Sequence, residues 1–275
     1  MRSNIKLICN LIRINVYNTK SSKIVSSILL WSVLIGVFNW IYLYNEGSSL
    51  TLYSMYMNIF IGPRYSGDLL HGIVWMMQLL ILVFYIGVNL EEELTRKNEY
   101  IFVRMTNRAY WLLAKIIYVM LICFIFVILT LLTIGFTESI IILLNNLVSE
   151  NHIDLLLSKS EILLLLKVSE VYFWGLFALV TMELLIIIFY RSSRISFVLI
   201  SVLLVCTWYL EQINIFKWLP SGLLIINRYE FINAAEYSYT TGICIYYSII
   251  TILICSIIGS LYINKTDLIG EIIQR

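Results

Sequence analysis

The charged residues of this chain concentrate in one stretch, Glu91 to Lys115, which reads EEELTRKNEYIFVRMTNRAYWLLAK. Glu91, Glu92, Glu93 and Glu99 stand there with Arg96, Arg104, Arg108 and Lys115, so the stretch offers both signs of charge to a partner. Apolar runs flank it, Leu69–Leu90 before and Leu112–Phe136 after. One Lys, Arg or Asp at the centre of a bilayer costs about 2.5–3.5 kcal/mol even on the mildest scale. The stretch therefore lies outside the hydrocarbon. Its apolar positions Leu94, Tyr100, Ile101, Val103, Met105 and Trp111 suit a short amphipathic helix across the ends of the flanking spans.

The second residue of chemical interest is Glu183. It precedes Arg191 by eight positions, or ~12 Å along a helix, which puts an acid inside an apolar segment. Such an acid is a functional-site candidate by default, facing the protein interior and either paired or protonated. A plain polar contact to a Ser, Thr or Tyr of another span is the competing reading. Catalytic patterns are missing from the sequence. There is no GxxxxGK[ST] loop, so ATP hydrolysis by this chain is not expected, and there is no HExxH or Cys/His spacing for a metal. His71 and His152 are far apart, and no serine has a His/Asp set near it. The five cysteines, Cys9, Cys123, Cys206, Cys244 and Cys255, form no CxxC pair and read as reduced packing residues, with a Cys206–Cys244 bridge as a weaker option. No cofactor, metal or nucleic-acid partner is expected.

The elements that must position these residues are membrane spans. Of 275 residues, 60% are hydrophobic and 13% charged, against ~25% charged in soluble domains. The expected fold is all-α and polytopic, with six spans at Ile24–Tyr44, Leu69–Leu90, Leu112–Phe136, Tyr172–Tyr190, Ile195–Leu210 and Ile243–Ile263. The fifth is short and must borrow from its flanks. Residues 1–23 carry Lys6, Asn10, Arg13, Tyr17 and Lys20 as one polar stripe, which predicts an amphipathic helix in the membrane interface. Residues 24–263 then form the transmembrane domain, with the charged elbow at 91–111, and 264–275 a tail. Asn45–Asp68 reads as an outer segment with a Gly62–Pro63 turn, and Thr137–Val171 as an amphipathic approach to the fourth span. Glu211–Thr241, broken by Pro220 and Gly222, suits short helices dipping into the outer leaflet.

With the N-terminus inside, 14 of the 19 Lys and Arg residues fall on the inner face. That bias predicts a multi-pass protein of the cell membrane with both termini cytoplasmic. Trp40, Tyr42 and Tyr44, and Trp208 and Tyr209, sit where aromatic belts meet the outer headgroups.

The elbow resembles the first cytoplasmic loop of permease subunits of the ABC-2 type of ABC transporters. In that pattern an acidic start and a short helix lead to an Arg and then to a Lys that opens the next span. Glu92 and Glu99 fall on the acidic positions, and Arg104, Arg108 and Lys115 on the basic ones, with Leu112–Leu113 just before the Lys. The chain departs from the pattern in carrying Arg96–Lys97 and Met105 where Gly-Thr and Pro are frequent. The order of hydrophobic segments extends the resemblance over nearly the whole chain. It implies a non-catalytic transport subunit that pairs with a second permease chain and docks a separate ATP-binding subunit, with ATP and Mg held by that partner. Glu91, Glu92, Glu93, Arg96, Glu99, Arg104, Arg108 and Lys115 would form the coupling surface, and Glu183 would lie on the translocation path. Re-entrant helices before the last span would cap that path. A hydrophobic or amphipathic cargo, such as an antimicrobial peptide or a lipid, would be exported or extracted. The alternative class is a stand-alone immunity or sensor protein that binds a toxin or partner within the membrane.

Overall fold

The computed structural model describes residues 8–13, 21–45, 51–62, 69–94, 108–148, 157–209, 219–232 and 239–265. Among these the chain is helical throughout, apart from turns and one isolated bridge between Tyr229 and Tyr239. The helices are α1 (Ser21–Asn45), α2 (Leu52–Ile61), α3 (Leu69–Glu92), α4 (Ala109–Val148), α5 (Lys159–Tyr190), α6 (Ser193–Tyr209) and α7 (Thr241–Lys265). Residues 8–13 form a further helical piece. Five helices, α1, α3, α4, α5 and α7, are long and apolar enough to cross a membrane. The chain is a multi-pass membrane protein, and α2 and α6 are shorter apolar helices within it.

Apolar composition makes these segments helical, because a backbone in lipid must satisfy its own N–H and C=O groups. Their outward faces remain hydrophobic. Leu30, Val33, Leu34, Val37, Phe38 and Ile41 make an exposed stripe along α1. Tyr246, Leu253, Ile257 and Leu261 do the same on α7. The interior is centred on α5, where Leu176, Ala178, Leu179, Val180, Leu184 and Ile187 are buried.

Helix ends follow local chemistry. Ser158 opens α5 with a capping box: its hydroxyl accepts from the Glu161 N–H at 3.3 Å, and the Glu161 carboxylate accepts from the Ser158 N–H at 2.7 Å. Thr51 and Ser54 cap α2 in the same reciprocal way. α2 stops at Gly62, whose φ of +77° suits glycine. α5 stops at Arg191, which takes a left-handed conformation (φ 51°) and donates its N–H to the Ile187 carbonyl at 2.7 Å. That tight reversal starts α6 only two residues later.

Several boundaries differ from the sequence expectation. α4 runs 12 residues past Phe136, and α5 begins at Lys159, not Tyr172. Among the described residues, the stretch Thr137–Val171 is thus mostly the continuation of two span helices. α2 lies within Asn45–Asp68, read as an outer segment with a Gly62–Pro63 turn, and its helix was not foreseen. The described part of Glu211–Thr241 holds two 3-10 turns, Gly222–Leu224 and Ile226–Arg228, where short helices were expected. They are buried against α5, with Leu224 only 3.1 Å from where a Cβ on Gly175 would stand. All five cysteines are free thiols, so Cys206 and Cys244 are not bridged.

Candidate functional site

Side-chain contacts give the bundle two ends. At the charged end, the last turn of α3 meets the starts of α4 and α6 and the finish of α7. The Lys115 ammonium pairs with the Glu93 carboxylate and lies over the rings of Trp111 (5.9 Å) and Tyr118 (5.3 Å). Lys115 is 1% exposed, a burial that an ion needs a partner to tolerate. The Glu91 carboxylate accepts from the Ser193 N–H at 3.1 Å and from the Ser193 hydroxyl. An acid from α3 thereby caps the N-terminus of α6, where orphan N–H groups and the helix dipole favour negative charge. Arg108 donates to the Ile263 carbonyl near the end of α7 at 3.3 Å.

The elbow residues thus divide. Glu91, Glu93, Arg108 and Lys115 spend their charge inside the chain, and Glu92 is exposed. Arg96, Glu99 and Arg104, with the proposed amphipathic helix, lie outside the described residues.

Glu183 sits deeper, ~12 Å from Arg191 along α5, and is fully buried. Neither carboxyl oxygen has a hydrogen-bond partner among the described residues. No Ser, Thr or Tyr hydroxyl among the described residues bonds to it. Gly87 of α3 makes the room: a Cβ there would come within 2.6 Å of Glu183 Oε1 and 3.5 Å of Ser193 Cβ. The Ser196 hydroxyl reaches the Glu183 backbone carbonyl at 3.5 Å, at the edge of a hydrogen bond. α3, α5 and α6 so meet around one carboxyl group, just beneath the contacts of the charged end.

At the opposite end, three helices share an amide and acid network. Asn39 of α1 donates to the Met55 carbonyl at 2.9 Å and to Glu138 Oε1 of α4 at 3.2 Å. Asn58 of α2 donates to Asn39 Oδ1 at 2.6 Å. Glu138 is fully buried and its Oε2 has no partner among the described residues. A cavity of about 20 Å³ opens beside the two amides, lined also by Phe38, Tyr42, His71 and Trp75. His71, read as an interfacial residue, packs edge-on to Tyr42 with ring centroids 5.8 Å apart. This network joins positions 39, 58 and 138 and left no periodic trace in the sequence. Its one visible signal was Glu138, an acid two residues beyond an apolar run.

No group of three or more His, Cys, Asp or Glu side chains among the described residues is arranged to hold a metal ion. The family described as "Protein of unknown function (DUF2705)" matches residues 29–269. The chain belongs to the DUF2705 family. No curated protein matches it. In this DUF2705 chain the matched region runs from within α1 to beyond α7. It includes the charged end, Glu183 and the amide network together.

Proposed function

We propose that this chain is the membrane-spanning permease subunit of an ATP-driven transporter of the ABC-2 type. It works with a second permease chain and with separate ATP-binding subunits on the cytoplasmic face. The observation that carries the reading is the wiring of the charged end. Glu91 reaches α6, Arg108 reaches α7, and Glu93 with Lys115 closes the base of the elbow. A partner that displaces the exposed part of the elbow would move α3, α4, α6 and α7 with it. Such a mechanical link is what a motor docked at this point needs. Glu183 lies where α3 and α6 would shift past α5 and is the candidate polar position on the path.

The topology in this reading is six crossings with both termini cytoplasmic. α6 is the shortest crossing: 17 residues reach ~26 Å, and flanking residues complete the ~30 Å core. The 3-10 turns Gly222–Leu224 and Ile226–Arg228 cap the outer end of the path. The cargo class is hydrophobic or amphipathic, a peptide or a lipid, and the chain itself carries no catalytic residue.

Purification of the chain in mild detergent from its native cells tests the proposal. An ATP-binding subunit should co-purify and hydrolyse ATP. Glu92→Arg or Arg104→Glu should reduce its recovery at least several-fold while membrane insertion is unchanged. A chain that purifies without any nucleotide-binding partner would favour the stand-alone immunity or sensor class.

A further inference from the structure

The cavity at the amide end plays no part in the proposed coupling, yet its lining has a specific chemistry. Three aromatic rings, Phe38, Tyr42 and Trp75, stand beside the amides of Asn39 and Asn58, and His71 completes the wall. Among the described residues, none that line it is Lys or Arg. Behind Asn39 lies Glu138, fully buried, with one oxygen held by the Asn39 amide and the other unpartnered among the described residues. Aromatic faces and amide oxygens attract cations, and a buried acid with no paired cation among the described residues strengthens that preference.

Size narrows the guest. The cavity is small, at about 20 Å³, so its guest is a single headgroup end and not a whole lipid. A primary ammonium has three N–H groups to give to amide oxygens, and a trimethylammonium has none. Position narrows its source. His71 lies 20 residues from Glu91 on α3, or ~30 Å along the helix, which is the thickness of the hydrocarbon core. The cavity is therefore level with the headgroups at that end. Phe38 also belongs to the exposed apolar stripe of α1, at 51% exposure, so the mouth borders the acyl chains.

We propose that this cavity is a binding site for a primary ammonium group, presented by a lipid headgroup of the ethanolamine type or by a soluble amine. Asn39 and Asn58 accept from its N–H groups, the aromatic rings face its charge, and Glu138 balances that charge from behind. The proposal is independent of any ATP-binding partner.

Thermal unfolding of the purified full chain in detergent, followed by tryptophan fluorescence, tests it. Three probes are compared: phosphatidylethanolamine, phosphatidylcholine with the same acyl chains, and ethylammonium chloride. The expected result is that the ethanolamine lipid raises the Tm at a concentration at least tenfold lower than the choline lipid. Glu138→Gln should abolish that preference. Phe38→Leu lies on the lipid-facing surface and should fold normally, yet weaken the effect about threefold. If ethylammonium chloride stabilises the chain and the ethanolamine lipid is no better than the choline lipid, the guest is a soluble amine. If neither primary ammonium probe outperforms the choline lipid, or if both variants keep the wild-type preference, the proposal is overturned.

Discussion

Gly87 and Glu183 are a matched pair, because the missing side chain of one is the space occupied by the other. An alanine at position 87 would bring its Cβ to 2.6 Å from the carboxyl oxygen, inside any normal contact. Overpacking of this kind costs about 1–3 kcal/mol. We predict that Gly87→Ala lowers thermal stability by that amount. In a Glu183→Ala background the same change should cost at least ~0.5 kcal/mol less, the coupling expected of touching residues. Additive effects in the double-mutant cycle would mean that Gly87 serves another purpose. Glu183→Gln keeps the shape of the carboxyl while removing its ability to ionise. It should leave expression and Tm near wild type and impair transport in reconstituted vesicles; full transport by that variant would leave the acid with a packing role only.

At the scale of helices, two contacts decide how firmly the charged end is held. Lys115 and Glu93 form a buried ion pair, with side chains 2% and 14% exposed. Removing one partner strands a buried charge and costs about 3–5 kcal/mol, whereas replacing both with apolar groups of similar size is nearly neutral. Lys115→Met alone should therefore destabilise strongly, and Lys115→Met with Glu93→Leu should recover most of the loss in a denaturation midpoint. Glu91→Ala removes the cap from α6 and should cost ~1 kcal/mol, seen as faster hydrogen exchange at residues 193–196. The centres of the spans were legible in the sequence because lipid demands about 20 consecutive apolar residues. Their ends were less so. α4 and α5 continue as helices beyond the length a bilayer requires, and only Ser158-Lys159-Ser160-Glu161, which spells a capping box, announced where α5 begins. Glu183 was legible as an acid in an apolar run. The Asn39, Asn58 and Glu138 network was not, since it forms only when α1, α2 and α4 come together. Nor could the sequence reveal that Glu91 and Lys115, read as faces for a partner, turn inward.

For the whole molecule, which helices cross and which end faces the cytoplasm decides whether a motor can reach the elbow. Contacts put Glu92 and Ser193 at one end of the bundle, and Ser160 at the other, because α5 runs between them. Thr207 and Ser221 share a hydrogen bond, and Arg228 donates to the Thr207 carbonyl at 3.3 Å, so the turns at 219–232 sit at the far end of α6. Glu92, Ser160 and Glu230 are all exposed and can each be changed to cysteine in a background where the five native cysteines are replaced. Labelling of intact cells with a membrane-impermeant maleimide should modify positions 160 and 230 directly and position 92 only after permeabilisation. Fourteen of 19 basic residues then lie where the positive-inside rule puts them. If position 230 were instead protected together with 92, the polypeptide would dip in and return near α6, leaving five crossings and opposite sides for the two termini. If position 92 were labelled from outside, no cytoplasmic motor could reach the elbow, and the wiring of Glu91, Glu93, Arg108 and Lys115 would serve stability alone.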